Sequence, residues 1–204
     1  MPILLHLIDR LDQIASPKPR LTIVGDGSGR KAIEAALEKC RNLSVQFTGT
    51  IGFQDLDSKI VRFHALFAMG TSALEGAKLG IPTFCLDYSY RPITGLYRFR
   101  YIFETHGYNL GEEIGERHLE SQSSLEAKIS DLIQSPNELG ERCRRHWEGS
   151  YSPEFVVKRF VDLVENSNAP IEELVDLNLG RSDFFSYLKS LLLKPSAVTG
   201  FIGT

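Results

Sequence analysis

Between residues 21 and 86 the chain alternates four short apolar runs with three stretches of helical spacing, an alternation that very few folds can satisfy. Leu21, Thr22, Ile23 and Val24 form the first run, and residues 43–47, 65–69 and 81–86 form the others. Ile33, Ala36, Leu37 and Cys40 carry the spacing of a helix face after the first run, as do residues 56–63 and 71–79 after the next two. Short connections between such units mean parallel pairing and right-handed crossovers. The expected fold class is therefore α/β, a doubly wound parallel sheet of Rossmann-like type.

The flanks are helical. Ile3, Leu4, Leu7, Ile8, Leu11 and Ile14 predict an amphipathic helix that stops before Pro17 and Pro19. After Asp87 the alternation is lost, and residues 88–108 mix aromatics with arginine without a clean period. Residues 108–110 are expected as a last short strand. Helical spacing returns at Leu125, Ile129, Leu132 and Ile133, then over 139–147 and 155–164, with Ser152 and Pro153 as cap and first-turn proline. A hinge is expected at 167–170, an amphipathic helix at 184–193, and then a loose tail containing Pro195 and Gly200. The expected domains are 1–166, the α/β unit with its C-terminal helices, and 167–204, an appendage.

Composition narrows the function classes. A chain of 204 residues with 42% hydrophobic and 24% charged side chains buries a core without disulfides or metals. Cys40, Cys85 and Cys143 are odd in number and far apart, which favours a reducing, cytoplasmic compartment over a disulfide framework or zinc site. Residues 1–100 carry 13 Lys+Arg against 9 Asp+Glu, and residues 101–204 carry 10 against 17. The first half can welcome an anion, yet it lacks the concentrated positive face of a nucleic-acid protein. No apolar run reaches the length of a spanning helix, and the N-terminus has His6, Asp9 and Arg10 where a signal peptide would be apolar.

Ligands of an open parallel sheet sit beyond the carboxyl ends of its strands, so the loops after Val24, Phe47, Met69 and Leu86 are the ones to inspect. Gly25-Asp26-Gly27-Ser28-Gly29 lets backbone approach a ligand, or else is a tight turn with Asp26 as a helix cap. Gly70, Thr71 and Ser72 open the helix after the third run with little bulk, two hydroxyls and free amides, which suits a diphosphate. Glu75, one turn on, can accept two hydrogen bonds from vicinal hydroxyls such as a ribose presents. The plainer reading of the same residues is a helix capped by Thr71 whose Glu75 favours the dipole.

Three segments together resemble a known family: residues 21–27, residues 45–51, and Leu74-Glu75-Gly76-Ala77-Lys78-Leu79-Gly80-Ile81-Pro82. In order and spacing they are similar to the C-terminal donor-binding domain of group 1 glycosyltransferases, retaining enzymes with two Rossmann-like domains (the GT-B architecture). The resemblance covers about residues 20–90 and implies a single GT-B half domain that binds a nucleoside diphosphate sugar such as a UDP-sugar. It implies Glu75 on the ribose, Gly70, Thr71 and Ser72 on the diphosphate, Thr50 and Ile51 on the base, and Gly25 and Gly27 lining the cleft. Two departures matter. The family's second glutamate falls on Phe67, and its arginine and lysine pair lies on a strand ahead of the first helix.

The expected function is therefore the donor-binding half of a glycosyltransferase of polysaccharide, glycolipid or glycoprotein synthesis, with no cofactor or metal and no transfer by this chain alone. A missing N-terminal acceptor domain or partner chain completes it, and membrane contact is expected only through that partner or the acceptor. A non-catalytic interaction or regulatory subunit is the alternative, and a UDP-sugar 2-epimerase-like domain a weaker one. Arg91 and Arg98 are candidate substitutes for the basic pair. His6, His64, His106, His118 and His146 form no ligand spacing and are expected as scattered exposed histidines. Glu112 and Glu113, like Glu172 and Glu173, are expected on solvated faces.

Overall fold

A computed structural model describes residues 2–120 and 125–166. The chain divides into two compact units, Met1–Val156 and Val157–Thr204. The first is a mixed α/β unit with small parallel and mixed sheets. The expected hinge, the 184–193 helix, the tail and the Glu172–Glu173 pair lie outside the described residues.

Helix α1 (Pro2–Asp12) buries Ile3, Leu7, Ile8 and Leu11 along one stripe. Asp12 at its end accepts the amides of Arg41, Asn42 and Leu43 on one oxygen at 2.7–2.9 Å. Those bonds hold its carboxyl below the usual aspartate range, the Asn42 amide most strongly. They also tie α1 to the turn that leads into β2. Strand β1 (Arg20–Val24) pairs in parallel with β2 (Ser44–Gly49), Leu21 opposite Val45 and Ile23 opposite Phe47, with a register shift at Val24. Helix α2 (Arg30–Leu37) connects them, and α3 (Phe53–Ile60) leads from β2 to β3 (Leu66–Ala68). Helix α4 (Thr71–Lys78) leads on to β4 (Thr83–Cys85), which pairs in parallel with β3. Parallel pairing thus follows the alternation read in the sequence, but the described ladders form two separate parallel pairs rather than one continuous sheet.

Strand β4 is buried on both faces, as a central strand must be. Its second neighbour is antiparallel: β6 (Arg100–Tyr101). Strand β5 (Leu96–Tyr97) pairs with β7 (Leu119–Glu120), also antiparallel. The aromatic segment therefore contains two short strands where none was expected, whereas 108–110 is not a strand; Leu110 instead accepts the Gly70 amide at 2.6 Å. The reason lies in the core. Phe67, Phe84 and Tyr101 face one another across β3, β4 and β6, with ring centroids 4.4 and 4.3 Å apart, and Phe103 extends the stack. Tyr97 and Phe99 are buried beside them, so the aromatics from Tyr97 to Phe103 belong to the core, whereas Tyr88, Tyr90 and Tyr108 are exposed.

Helices α5 (Leu125–Gln134) and α6 (Pro136–Glu148) close the unit, burying Leu125, Leu132, Leu139 and Cys143. Gly140 of α6 packs directly on the turn after α4, where an added Cβ would stand 2.0 Å from the Gly80 carbonyl oxygen. In α7 (Pro153–Glu165), Ser152 caps as expected, accepting the Phe155 amide at 3.2 Å. No residue of α7 is buried, and its Phe160 and Leu163 are exposed.

Candidate functional site

The parallel strands end in four loops, and backbone geometry shapes each. Gly25 leaves β1 at φ 118° and donates to the Gly49 carbonyl at 2.8 Å, which draws the ends of β1 and β2 together. Beside that contact is a cleft of 210 Å³ lined by Gly25 and Gly27, with Ile23, Val24, Ile33 and Phe47 as apolar walls. Asp26, Gly29 and Arg30 line it as well. Asp26 accepts the Gly27 amide at 2.9 Å and does not cap α2, whose N-cap Gly29 has no side-chain cap bond. Thr50 is exposed and Ile51 half-buried just past Gly49; neither lines the cleft.

The second group forms at α4. Gly70 adopts φ 61° and ψ −146°, a conformation open only to glycine, and precedes Thr71 and Ser72, both exposed. No side chain caps the helix, so Thr71 is its first residue rather than its cap, and the Ala73 amide is held by the Gly70 carbonyl at 3.1 Å. Packing fixes the body of the helix: Ala73 and Ala77 are fully buried, and Gly76 sits so close to Thr83 and Leu66 that a Cβ would lie 2.5 Å from Thr83 Oγ1. Glu75, half-buried, holds Lys78 at 2.9 Å, and Lys78 reaches Asp57 of α3 at 3.1 Å. The two carboxylates, Glu75 first, lift the Lys78 ammonium above the ordinary lysine range. The structure thus gathers Gly25 and Gly27 in the turn after β1, and Gly70, Thr71, Ser72 and Glu75 at α4 and its N-cap.

Sequence reasoning missed the densest polar cluster, at the end of β4. Asp87 is fully buried and accepts four hydrogen bonds: two from Arg100 Nη2 (2.9 and 2.7 Å), one from Tyr97 (2.8 Å) and one from the Glu112 amide (3.0 Å). The Asp87 amide in turn donates to Tyr97 Oη at 3.1 Å. Burial, then the Asp87 charge, drive the Tyr97 hydroxyl far above its usual range. His118 is buried rather than exposed. Its Nδ1 accepts the Gly115 amide at 2.9 Å, which leaves the proton on Nε2, 2.9 Å from Glu112 Oε1. Glu112, expected on a solvated face, also pairs with Arg117, and the His118 hydrogen bond chiefly lowers its pKa.

Asp87, Glu112 and His118 bring three potential ligand atoms within 4.8 Å of one another. Every acceptor of Asp87 is filled, a guanidinium lies against it, and the His118 ring is used on both nitrogens. The chemistry of the donor set fits a brace better than a cation. Beside the brace the returning chain packs on the end of β4: Gly111 lies where a Cβ would be 2.7 Å from the Leu86 carbonyl oxygen, and Tyr88 and Glu113 form a bridge. The signal for it was an aspartate ending an apolar strand, with Arg100 spaced among aromatics.

His6 and His146 are likewise half-buried rather than exposed, each with an unpartnered Nε2, and burial lowers both pKa values. Arg91 and Arg98 are exposed. Among the described residues no helix is long and apolar enough to cross a membrane. Compared with protein-family models, curated proteins and solved structures, the chain matches none.

Proposed function

We propose that this chain is a nucleotide-sugar-binding domain, the donor half of a glycosyltransferase, built on a Rossmann-like doubly wound plan. One observation carries the reading. Gly70 at φ 61° delivers an uncapped helix N-terminus, exposed at Thr71 and Ser72, at the carboxyl end of a parallel strand, and Glu75 follows on the same helix. Amides and hydroxyls there neutralise charge growing on a diphosphate leaving group, and they do so without a metal. The two parallel pairs, β1–β2 and β3–β4, are what a doubly wound sheet is assembled from, and the glycine-rich turn after β1 adds a second approach point. The proton chemistry and the acceptor site belong to a second domain or partner chain. The free thiols support a reducing, cytoplasmic setting.

A second reading, a non-catalytic interaction subunit, is favoured by Phe67. At the position of the family's second glutamate it stacks flat on Phe84, 4.4 Å away and 4° from parallel, as part of the core. Calorimetry with UDP, GDP and their sugars, on the chain and on Glu75→Ala, separates the two. Weak binding, near about 1 mM, that is lost in Glu75→Ala supports the donor site; no binding, or binding indifferent to the substitution, overturns it.

A further inference from the structure

We propose that the sheet has an open seam between β1 and β3 that takes one extended apolar strand from the acceptor-binding partner, a statement that rests on the doubly wound, donor-half reading and adds how the halves join.

Backbone direction defines the seam. The Pro19 carbonyl accepts the Ser44 amide and the Gly25 amide donates to the Gly49 carbonyl, so the odd-numbered positions of β1 face β2. The backbone groups of Arg20, Thr22 and Val24 therefore face away from β2. On β3 the Leu66 amide donates to the Pro82 carbonyl and the Ala68 carbonyl accepts the Leu86 amide, so the backbone of Phe67 turns away from β4. Among the described residues no second strand pairs with β1 or with β3, and neither Thr22 nor Phe67 makes a backbone bond elsewhere.

Both edges border one core. Leu21 of β1 and Phe67 of β3 pack on the cluster that holds Ile3, Leu7 and Leu11 of α1. In a doubly wound plan the right-handed crossovers run outward in opposite directions from the centre, which sets the first strand of each pair, β1 and β3, innermost. Their composition is that of inner strands. Leu21, Ile23 and Val24, like Leu66, Phe67 and Ala68, put apolar groups on both faces, and Arg20 is the one charge in either strand. Neither edge carries the proline or lysine that blunts an exposed strand. Burial falls short of that composition: no residue of β1 or β3 is buried, whereas every residue of β4 is.

The open groups select the occupant. A row of alternating amides and carbonyls on each side matches an extended backbone, and apolar surroundings on both faces match apolar, β-branched side chains. A strand of five residues equals β1 in length. A second copy of this chain does not fill the seam, because its β1 already spends one edge on β2 and its β3 one edge on β4, while the seam demands a strand with both edges free.

The test is amide hydrogen exchange of the whole chain, followed residue by residue by NMR, alone and with a soluble peptide of alternating valine and isoleucine flanked by lysines. In the free chain the Leu21, Ile23 and Ala68 amides are expected to exchange slowly and those of Thr22 and Phe67 fast. The peptide is expected to slow Thr22 and Phe67 by at least about tenfold, and copies of it N-methylated along either edge to have no effect. Thr22→Pro removes an amide that faces the seam and no β1–β2 bond, so it is expected to fold and to lose the peptide's effect at Phe67. The seam is refuted if Thr22 and Phe67 are slow in the free chain, whether or not dilution releases them, or if the peptide slows neither. It is refuted equally if a peptide methylated along one edge still protects, since that strand adds to a single edge. UDP added to the same samples separates the two readings. Nucleotide binding that depends on Glu75, with Thr22 and Phe67 already slow, removes the seam and leaves the donor site; peptide protection without nucleotide binding upholds the seam and removes the donor site.

Discussion

Replacing Asp87 with alanine strips one buried carboxylate from four donors at once, two of them from Arg100. Arg100 keeps its charge with its side chain only 13% exposed, while the Tyr97 hydroxyl and the Glu112 amide lose their acceptor. Breaking a buried ion pair from one side costs about 3–5 kcal/mol, because the remaining charge stays desolvated. For a chain of this size that is a fall in Tm of roughly 6–20 °C. Tyr97→Phe, which removes a hydrogen bond to a charged group and also the acceptor of the Asp87 amide, is expected to cost at least about 1.5–3 kcal/mol. Asp87→Leu combined with Arg100→Met is expected to cost less than Asp87→Ala alone, since no charge is then left buried. Calorimetric melting measures all of these, with and without a chelator. A brace needs no ion, so the chelator is expected to leave Tm unchanged. The reasoning is refuted if the chelator lowers Tm, or if Asp87→Ala melts within about 2 °C of the parent.

Two more outcomes follow from packing and burial. His6 and His146 have folded-state pKa values below the ordinary 6.5, so their contribution is complete above that value and is lost as pH falls through the lowered ones. Urea midpoints are expected to fall between about pH 7.5 and pH 5.5, and the doubly substituted His6→Gln, His146→Gln chain to lose that slope; an unchanged slope contradicts the assignment. Gly140→Ala is expected to cost about 1–3 kcal/mol by driving a methyl into the Gly80 carbonyl, and equal stability by urea titration would show that α4 and α6 have room to part.

How much of this was legible in the sequence differs element by element. The strands around Leu21, Val45, Phe67 and Phe84 and the helices between them were readable, because local periodicity reports which side of an element is buried. The parallel pairing of β1 with β2 and of β3 with β4 followed from the short connections. Strands of two residues, such as Arg100–Tyr101, have no period to read; only the stacking of Tyr101 on Phe84 makes them strands. Ladder extent was equally hidden, since it depends on which strand edges meet in space. For the candidate site, the glycine turns at Gly25 and Gly70 announced themselves by composition. The Asp87 brace did not, because its partners are 10, 13 and 25 positions away along the chain. Burial of His6, His118 and His146 also escaped, as a single histidine carries no pattern of its own.

The chain leaves the end of β4 at Asp87, passes through β5 and β6, and returns so that Leu110 meets Gly70 and Gly111 fits against Leu86. Departure and return are both anchored, while Tyr90 and Tyr108 between them are largely exposed. For a lineage drifting in sequence, that makes the stretch an unevenly editable one. Residues can be added around Tyr90 or Tyr108 without touching the anchors, whereas removing a single position from 109–112 shifts the register of the return and pulls on Gly70, the residue that aims α4. New specificity can be acquired in such a loop at no cost to the scaffold that presents it.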